Sequence, residues 1–163
     1  MGWTIHEGEL DHEDVRALLA QHFAEMRAGS PPSACHVLPA DGMKSADLRF
    51  FTLRENGDLL GCGALRRIEP GHAEIKSMRT ARAHLRRGVA RTMLEHLLAE
   101  ARAAGYRRVS LETGSMAYFE PARRLYASFG FVECAPFGRY TADPNSIFMT
   151  LELQGAHAHA ADR

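Results

Sequence analysis

The sequence predicts a single α/β (α+β) domain with a mixed, mostly antiparallel central sheet flanked by helices. Three observations carry this. Two apolar, partly alternating runs, Leu48 to Arg54 and Leu59 to Ile68, flank Glu55-Asn56-Gly57-Asp58, and Asn-Gly between such runs signals a hairpin. A third run, His72 to Thr80, follows Glu69-Pro70-Gly71 and completes an antiparallel meander. The stretch from His72 to Thr113 then has the strand, long helix, strand length of a βαβ crossover, which adds a parallel pair.

The remaining elements follow in order. Gly2 to Leu10 reads as a first strand, and Asp11 as the N-cap of a helix with Val15, Leu18, Leu19, Phe23 and Met26 on its apolar face. Gly29-Ser30-Pro31-Pro32-Ser33 ends that helix, and the chain to about Ala46 is a loop with room for one helical turn. From Gly88 a helical stripe of Val89, Met93, Leu94, Leu97, Leu98 and Ala101 runs to Gly105, which stands at a C-cap position. Arg107 to Thr113 is a strand. Pro121 and Gly130 bracket a short helix carrying Ala122, Leu125, Tyr126 and Phe129. Phe131 to Phe137 and Ser146 to Leu153 close the sheet. The domain spans residues 1–153, and the Ala- and His-rich residues 154–163 read as a disordered tail, with adventitious metal binding by His157 and His159 as the alternative.

Composition narrows the function. At 163 residues, 45% hydrophobic and 25% charged, the chain suits one globular core. Twenty basic and twenty acidic residues cancel, which argues against nucleic-acid binding through an overall field, so any anion site must be local. Cys35, Cys62 and Cys134 form no Cys-x-x-Cys pair and no disulfide framework, and reduced thiols are expected. Neither a leader pattern nor an apolar run of roughly 18 residues is present, so cytoplasmic residence without membrane partners is expected. No metal-ligand cluster is seen, and none is expected.

One local anion site stands out. Met78-Arg79-Thr80 ends a strand, Arg86-Arg87-Gly88-Val89-Ala90 forms a tight basic turn, and the long helix begins there. A helix N-terminus offers unpartnered N–H groups and positive potential to an anion. Gly88 admits close backbone approach, Ala90 keeps the surface open, and Arg86, Arg87 and Arg91 add mobile charge. The Gly-x-x-x-x-Gly-Lys-Ser/Thr motif and the three-glycine dinucleotide motif are both absent, so neither ATP nor NAD is supported.

Leu85-Arg86-Arg87-Gly88-Val89-Ala90 resembles the acetyl-CoA cradle of the GCN5-related N-acetyltransferase superfamily, Gln/Arg-x-x-Gly-x-Gly/Ala, with Leu85 in place of the first polar residue. Ala122 to Phe131 is similar to that family's Ala-x-x-Leu-Tyr-x-x-x-Gly-Phe signature, and Phe119 stands where the family often has an Asn contact to the pantetheine. Leu111 to Ser115 and Asp143 to Ser146 further resemble a bacterial subgroup named as acetyltransferases.

The resemblance implies a sheet splayed between its fourth and fifth strands, with acetyl-CoA as acyl donor and Met78 and Thr80 pairing its amide arm as an added strand would. It implies that the amide near Met78 faces the developing oxyanion, that Tyr126 is the general acid and that no covalent enzyme intermediate forms. Glu74 and Glu112, on the strands flanking the splay, are candidate bases. Strand alternation places His72, Glu74, Lys76 and Met78 on one face, so a Glu74–Lys76 surface pair is the competing role. His36, Asp143 and Asn145 lie in connections that would wall the acceptor site, although Asp-Pro-Asn-Ser is also an ordinary turn sequence. The expected activity is acetyl transfer to a small-molecule or peptide amine, with a homodimer as the family-level expectation. The alternative is a non-catalytic acyl-CoA-binding or sensing module. A third option keeps the enzyme and admits a longer acyl chain near Met116 and Phe119.

Overall fold

Among the described residues, apolar runs punctuated by glycine turns become seven strands and three helices: β1 (Trp3–Glu7), α1 (Glu13–Gly29), β2 (Leu48–Glu55), β3 (Asp58–Glu69), β4 (His72–Thr80), α2 (Val89–Ala103), β5 (Arg108–Gly114), α3 (Glu120–Ser128), β6 (Val132–Cys134) and β7 (Ser146–Glu152). Short 3-10 turns occupy Ala40–Met43, Arg82–His84 and Ala117–Phe119. The computed structural model describes residues 2–29 and 40–153; His36, Cys35 and the tail from Gln154 lie outside the described residues. The strands follow the order β1-β2-β3-β4-β5-β7-β6, with β4 parallel to β5 and the pairs β1–β2, β2–β3, β5–β7 and β6–β7 antiparallel. This is the mixed sheet expected from the meander and crossover. No described helix is long and apolar enough to cross a membrane. The chain divides into two compact units, Met1–Arg66 with Ile75–Leu97, and Arg67–Glu74 with Leu98–Arg163.

In the first unit the hairpin turn takes the left-handed conformation that Asn-Gly favours, with φ 50° at Asn56 and 87° at Gly57. The apolar face of α1 delivers Val15, Leu18 and Leu19 to a buried cluster with Met43, Phe50, Cys62 and Ala64. Asp11, expected as the N-cap, pairs instead with Lys44, and His12 holds the cap position, its carbonyl accepting from Arg16 N–H at 2.9 Å. Two glycines of β3 set how closely the helix and strand behind them approach. A Cβ at Gly61 would stand 2.7 Å from both the Arg79 carbonyl oxygen and Val89 Cγ1, and one at Gly63 would stand 2.9 Å from Met93 Cγ. Only glycine fits between such neighbours.

In the second unit β5 and β7 pair along their whole length, from Arg108 opposite Glu152 to Gly114 opposite Ser146. Both helix ends in this unit close in the same way. Gly105, at φ 87°, donates to the Arg102 carbonyl at 3.0 Å while Tyr106 N–H reaches the Ala101 carbonyl at 3.0 Å. Gly130, at φ 100°, donates to Ala127 at 2.9 Å while Phe131 N–H reaches Tyr126 at 3.2 Å. This is the Schellman pattern, in which a left-handed residue lets two N–H groups satisfy carbonyls that the helix leaves over. β6 is shorter than the expected Phe131 to Phe137 strand. Pro136 has no N–H to give a ladder, and the ring of Phe137 turns into an aromatic cluster with Tyr140 and Phe148.

Candidate active site

The basic turn of the first unit has the backbone shape of an anion cradle. Leu85 is extended, Arg86 has φ 64° and Gly88 has φ 86°, so the backbone curls into a concavity of amides just before Val89 opens α2. Thr92 N–H donates back to the Gly88 carbonyl at 3.0 Å, which starts the helical ladder and leaves the earlier amides directed out of the helix end. Nothing lies within 4 Å of the place a Gly88 Cβ would take, so the space above the turn is open to an incoming group. Val89 is buried against Gly61, which anchors the turn to the sheet.

The arginines around the cradle divide by partner. Arg87 is held by Glu55 at 2.9 Å and His84 Nδ1 at 2.8 Å, with its guanidinium 5.6 Å from the centre of the Trp3 ring. Its contact with Glu55 keeps that carboxyl below the usual carboxylate range. Arg79 and Arg82 are both paired to Glu25 of α1. Arg86 and Arg91 are exposed beside the turn, and Leu85 is 56% exposed where the family pattern has a polar residue.

Strand alternation along β4 does not run through to Met78. Ser77 adopts φ 55°, a left-handed kink of the kind a bulge introduces, so Met78 leaves the face shared by His72, Glu74 and Lys76. The kink is held on both sides: Ser77 Oγ donates to Met43 Sδ at 3.2 Å, and Cys62 Sγ donates to the Ser77 carbonyl at 3.3 Å. Burial pushes the Cys62 thiol up to about 12, which keeps it protonated and inert. A serine inside an apolar strand was the available signal, but Ser occurs in many strands without bending them.

In the second unit the Leu125-Tyr126-x-x-x-Gly130-Phe131 signature acquires a physical meaning. Tyr126 and Phe131 occupy the two positions that meet across a Schellman cap, and their rings form an edge contact at 5.8 Å. Tyr126 is 8% exposed, and burial raises its phenol to about 12, so it holds its proton at neutral pH. Phe119 fills the place of a side chain that Gly114 lacks: a Cβ at Gly114 would collide with the Phe119 ring. The loop between them is tied by Arg123, whose guanidinium donates to the carbonyls of Gly114 at 2.6 Å and Met116 at 3.0 Å.

The two candidate carboxylates each accept a hydroxyl. Glu112 Oε2 accepts from Ser146 Oγ at 2.7 Å, and buried Glu74 Oε2 accepts from the Tyr140 phenol at 2.5 Å. Tyr140 is a partner that sequence reasoning missed, because a lone tyrosine in an irregular connection carries no periodic signal. His72, on the same strand as Glu74, contacts Ser110 Oγ at 2.6 Å, and Ser110 continues to Thr150 Oγ1 at 2.9 Å. Burial lowers the His72 pKa. Asp143 and Asn145 form a local turn: Asp143 Oδ1 accepts from Asn145 N–H at 2.8 Å, and the Asn145 carbonyl accepts from Ser115 N–H at 3.1 Å. These hydrogen bonds secure the loop after β5 to the start of β7.

The fold is an α/β sheet with a parallel pair, a left-handed turn at the start of α2 and a buried tyrosine at a capped helix end. Comparison with known proteins agrees. Residues 13–131 match the acetyltransferase (GNAT) family. The uncharacterized N-acetyltransferase YsnE of Bacillus subtilis is 48% identical over 145 residues, covering 89% of this chain and 96% of that protein. A protein assigned as an acyl-CoA N-acyltransferase in Klebsiella pneumoniae superposes with a TM-score of 0.75 at 26% identity, over 93% of this chain and 98% of that one. A Salmonella typhimurium protein assigned as an acetyltransferase, solved with acetyl-CoA, shares the fold with a TM-score of 0.69 at 21% identity, over 94% and 95% of the two chains. The chain belongs to the GNAT acetyltransferase family and is an N-acetyltransferase by its relatives.

Proposed function

We propose that the protein transfers an acetyl group from acetyl-CoA to a small-molecule or peptide amine by direct attack in a ternary complex. The observation that carries this is the open left-handed turn at Arg86 and Gly88 feeding the N-terminus of α2, which suits a pyrophosphate. The Salmonella typhimurium protein of the same fold, solved with acetyl-CoA, is consistent with that donor. Met78, Arg79 and Thr80 would line the amide arm of the donor, and residues 86–91 its phosphates. The kink at Ser77 supports a role for the Met78 amide toward the carbonyl oxygen, because a bulge takes neighbouring amides out of regular pairing.

In the reaction the amine nitrogen bonds to the acetyl carbon, the carbon–sulfur bond breaks, and one proton moves from nitrogen while one reaches sulfur. Tyr126 is assigned the proton donor, since its raised pKa keeps the phenol loaded. Glu74 is assigned the base, four residues before Met78 on the strand that would carry the donor; Glu112 is the second carboxylate to test. His36, Asp143 and Asn145 remain acceptor-side candidates. The deciding experiment measures release of free CoA thiol from acetyl-CoA across a panel of amine classes. Release with at least one amine is expected. Donor binding by calorimetry without release from any class would favour a non-catalytic acyl-CoA-binding module, and comparison of longer acyl-CoA donors would define chain preference.

A further inference from the structure

We propose that Tyr140 is a positioning residue that acts through Glu74, an inference resting on the assignment of Glu74 as base. The phenol O–H donates to Glu74 Oε2 at 2.5 Å across 66 residues of sequence, in a part-buried setting where a hydrogen bond to an ionised acceptor is strong. The donor is itself immobilised. Tyr140 N–H donates to the Phe137 carbonyl at 3.0 Å, and the Tyr140 ring packs on Phe137 at 5.2 Å and on Phe148 at 5.5 Å. Phe137 also meets His72 at 5.8 Å and Phe148 at 5.7 Å, so the connection between β6 and β7 is clamped onto the start of β4 by four rings.

A carboxylate on a three-torsion side chain loses rate when it wanders, because proton abstraction needs hydrogen-bond reach and alignment. A phenol locked by its own ring contacts fixes that torsion without adding a competing charge. His72 and Tyr140 are titratable groups that face Glu74, with Glu69 and Arg108 acting in turn on His72. His72 is held by Ser110, and Tyr140 gives Glu74 a hydroxyl donor that can be removed without changing charge.

The test uses the full chain and the best amine from the panel. Tyr140→Phe keeps the ring and removes only the O–H. Its kcat should fall about tenfold with the KM for acetyl-CoA within about twofold, a split that a general loss of packing would not give. In a Glu74→Gln background, which should lose turnover and retain acetyl-CoA binding, adding Tyr140→Phe should change nothing further. Should Tyr140→Phe lower the Tm by more than a few degrees, the comparison is made at a temperature well below both transitions, where both proteins are fully folded. An unchanged kcat in Tyr140→Phe, or an equal fall in kcat in both backgrounds, overturns the proposal and leaves Tyr140 as packing. Full turnover by Glu74→Gln overturns the base assignment and this inference with it, while leaving acetyl transfer intact; no CoA release by the unaltered protein overturns all three.

Discussion

At the scale of single residues, burial sets two protonation states. His22 on α1 is 7% exposed, its Nδ1 has no hydrogen-bond partner among the described residues, and burial followed by the charge of Arg79 lowers its pKa to about 4. Histidine in the unfolded chain titrates near ~6.5, so between that value and about 4 the unfolded chain binds the extra proton and stability falls as pH falls. Above both values His22 is neutral in either state and the effect vanishes. The accumulated loss is about 3 kcal/mol. His22→Leu should therefore flatten the stability difference between pH 7 and pH 4.5 in urea titrations; a slope equal to that of the unaltered protein would mean that other groups govern it. Tyr126 shows the opposite shift, its phenol raised to about 12 by burial. If it is the proton donor, Tyr126→Phe should lower kcat by roughly 100-fold with little change in acetyl-CoA affinity, the magnitude usual for a removed general acid. Equal turnover would reduce Tyr126 to the ring that Phe131 packs against.

At the scale of elements, the site is made at junctions. The cradle exists because β4 ends, two left-handed residues turn the chain, and α2 begins with Val89 seated against Gly61. Gly88→Glu forces an L side chain into φ 86°, at a cost of about 1–3 kcal/mol, and points an anion at the proposed phosphate site. Acetyl-CoA affinity should drop by at least about 100-fold by calorimetry, equivalent to ~2.7 kcal/mol. Since no atom lies within 4 Å of the added Cβ, the fold itself should tolerate the change apart from the local strain. Unchanged affinity would remove the cradle from the donor site. The Schellman caps at Gly105 and Gly130 work likewise, converting the end of a helix into a fixed entry for the next strand.

At the scale of the whole molecule, donor binding and folding are linked. A ligand that binds only the native state at about 100 times its Kd stabilises it by ~2.7 kcal/mol, which for a chain of this size is a rise in Tm of roughly 5–10 °C. Acetyl-CoA should produce that shift and Gly88→Glu should abolish it; no shift with the unaltered protein would contradict donor binding at the cradle. The sequence was sufficient for the order and type of the elements, and for β4 to the residue, because periodicity, Asn-Gly, Pro and Gly act over a few neighbours. It was also sufficient for the tight turn before α2 and for the short helix that carries Tyr126, since both sit in short contiguous motifs. It failed where a residue's role depends on something distant: Asp11 went to Lys44 rather than to a cap, β6 stopped short, and Ser77 broke the alternation that had placed Met78 beside Glu74.

By itself, then, the chain determined a mixed α/β fold, a glycine-turned anion cradle at the start of α2 and a tyrosine at a capped helix end. These arise from backbone preferences and apolar spacing that a few adjacent residues encode. Only the tertiary structure decided that Arg87 is spent on Glu55 and Arg79 on Glu25, that Phe119 fills the space above Gly114, and that Tyr140 meets Glu74. Those partners are 32, 54, 5 and 66 positions apart, and apart from the nearby Gly114 pair no local pattern links them, since hydrogen bonds and packing of this kind form only once the sheet has brought distant segments together.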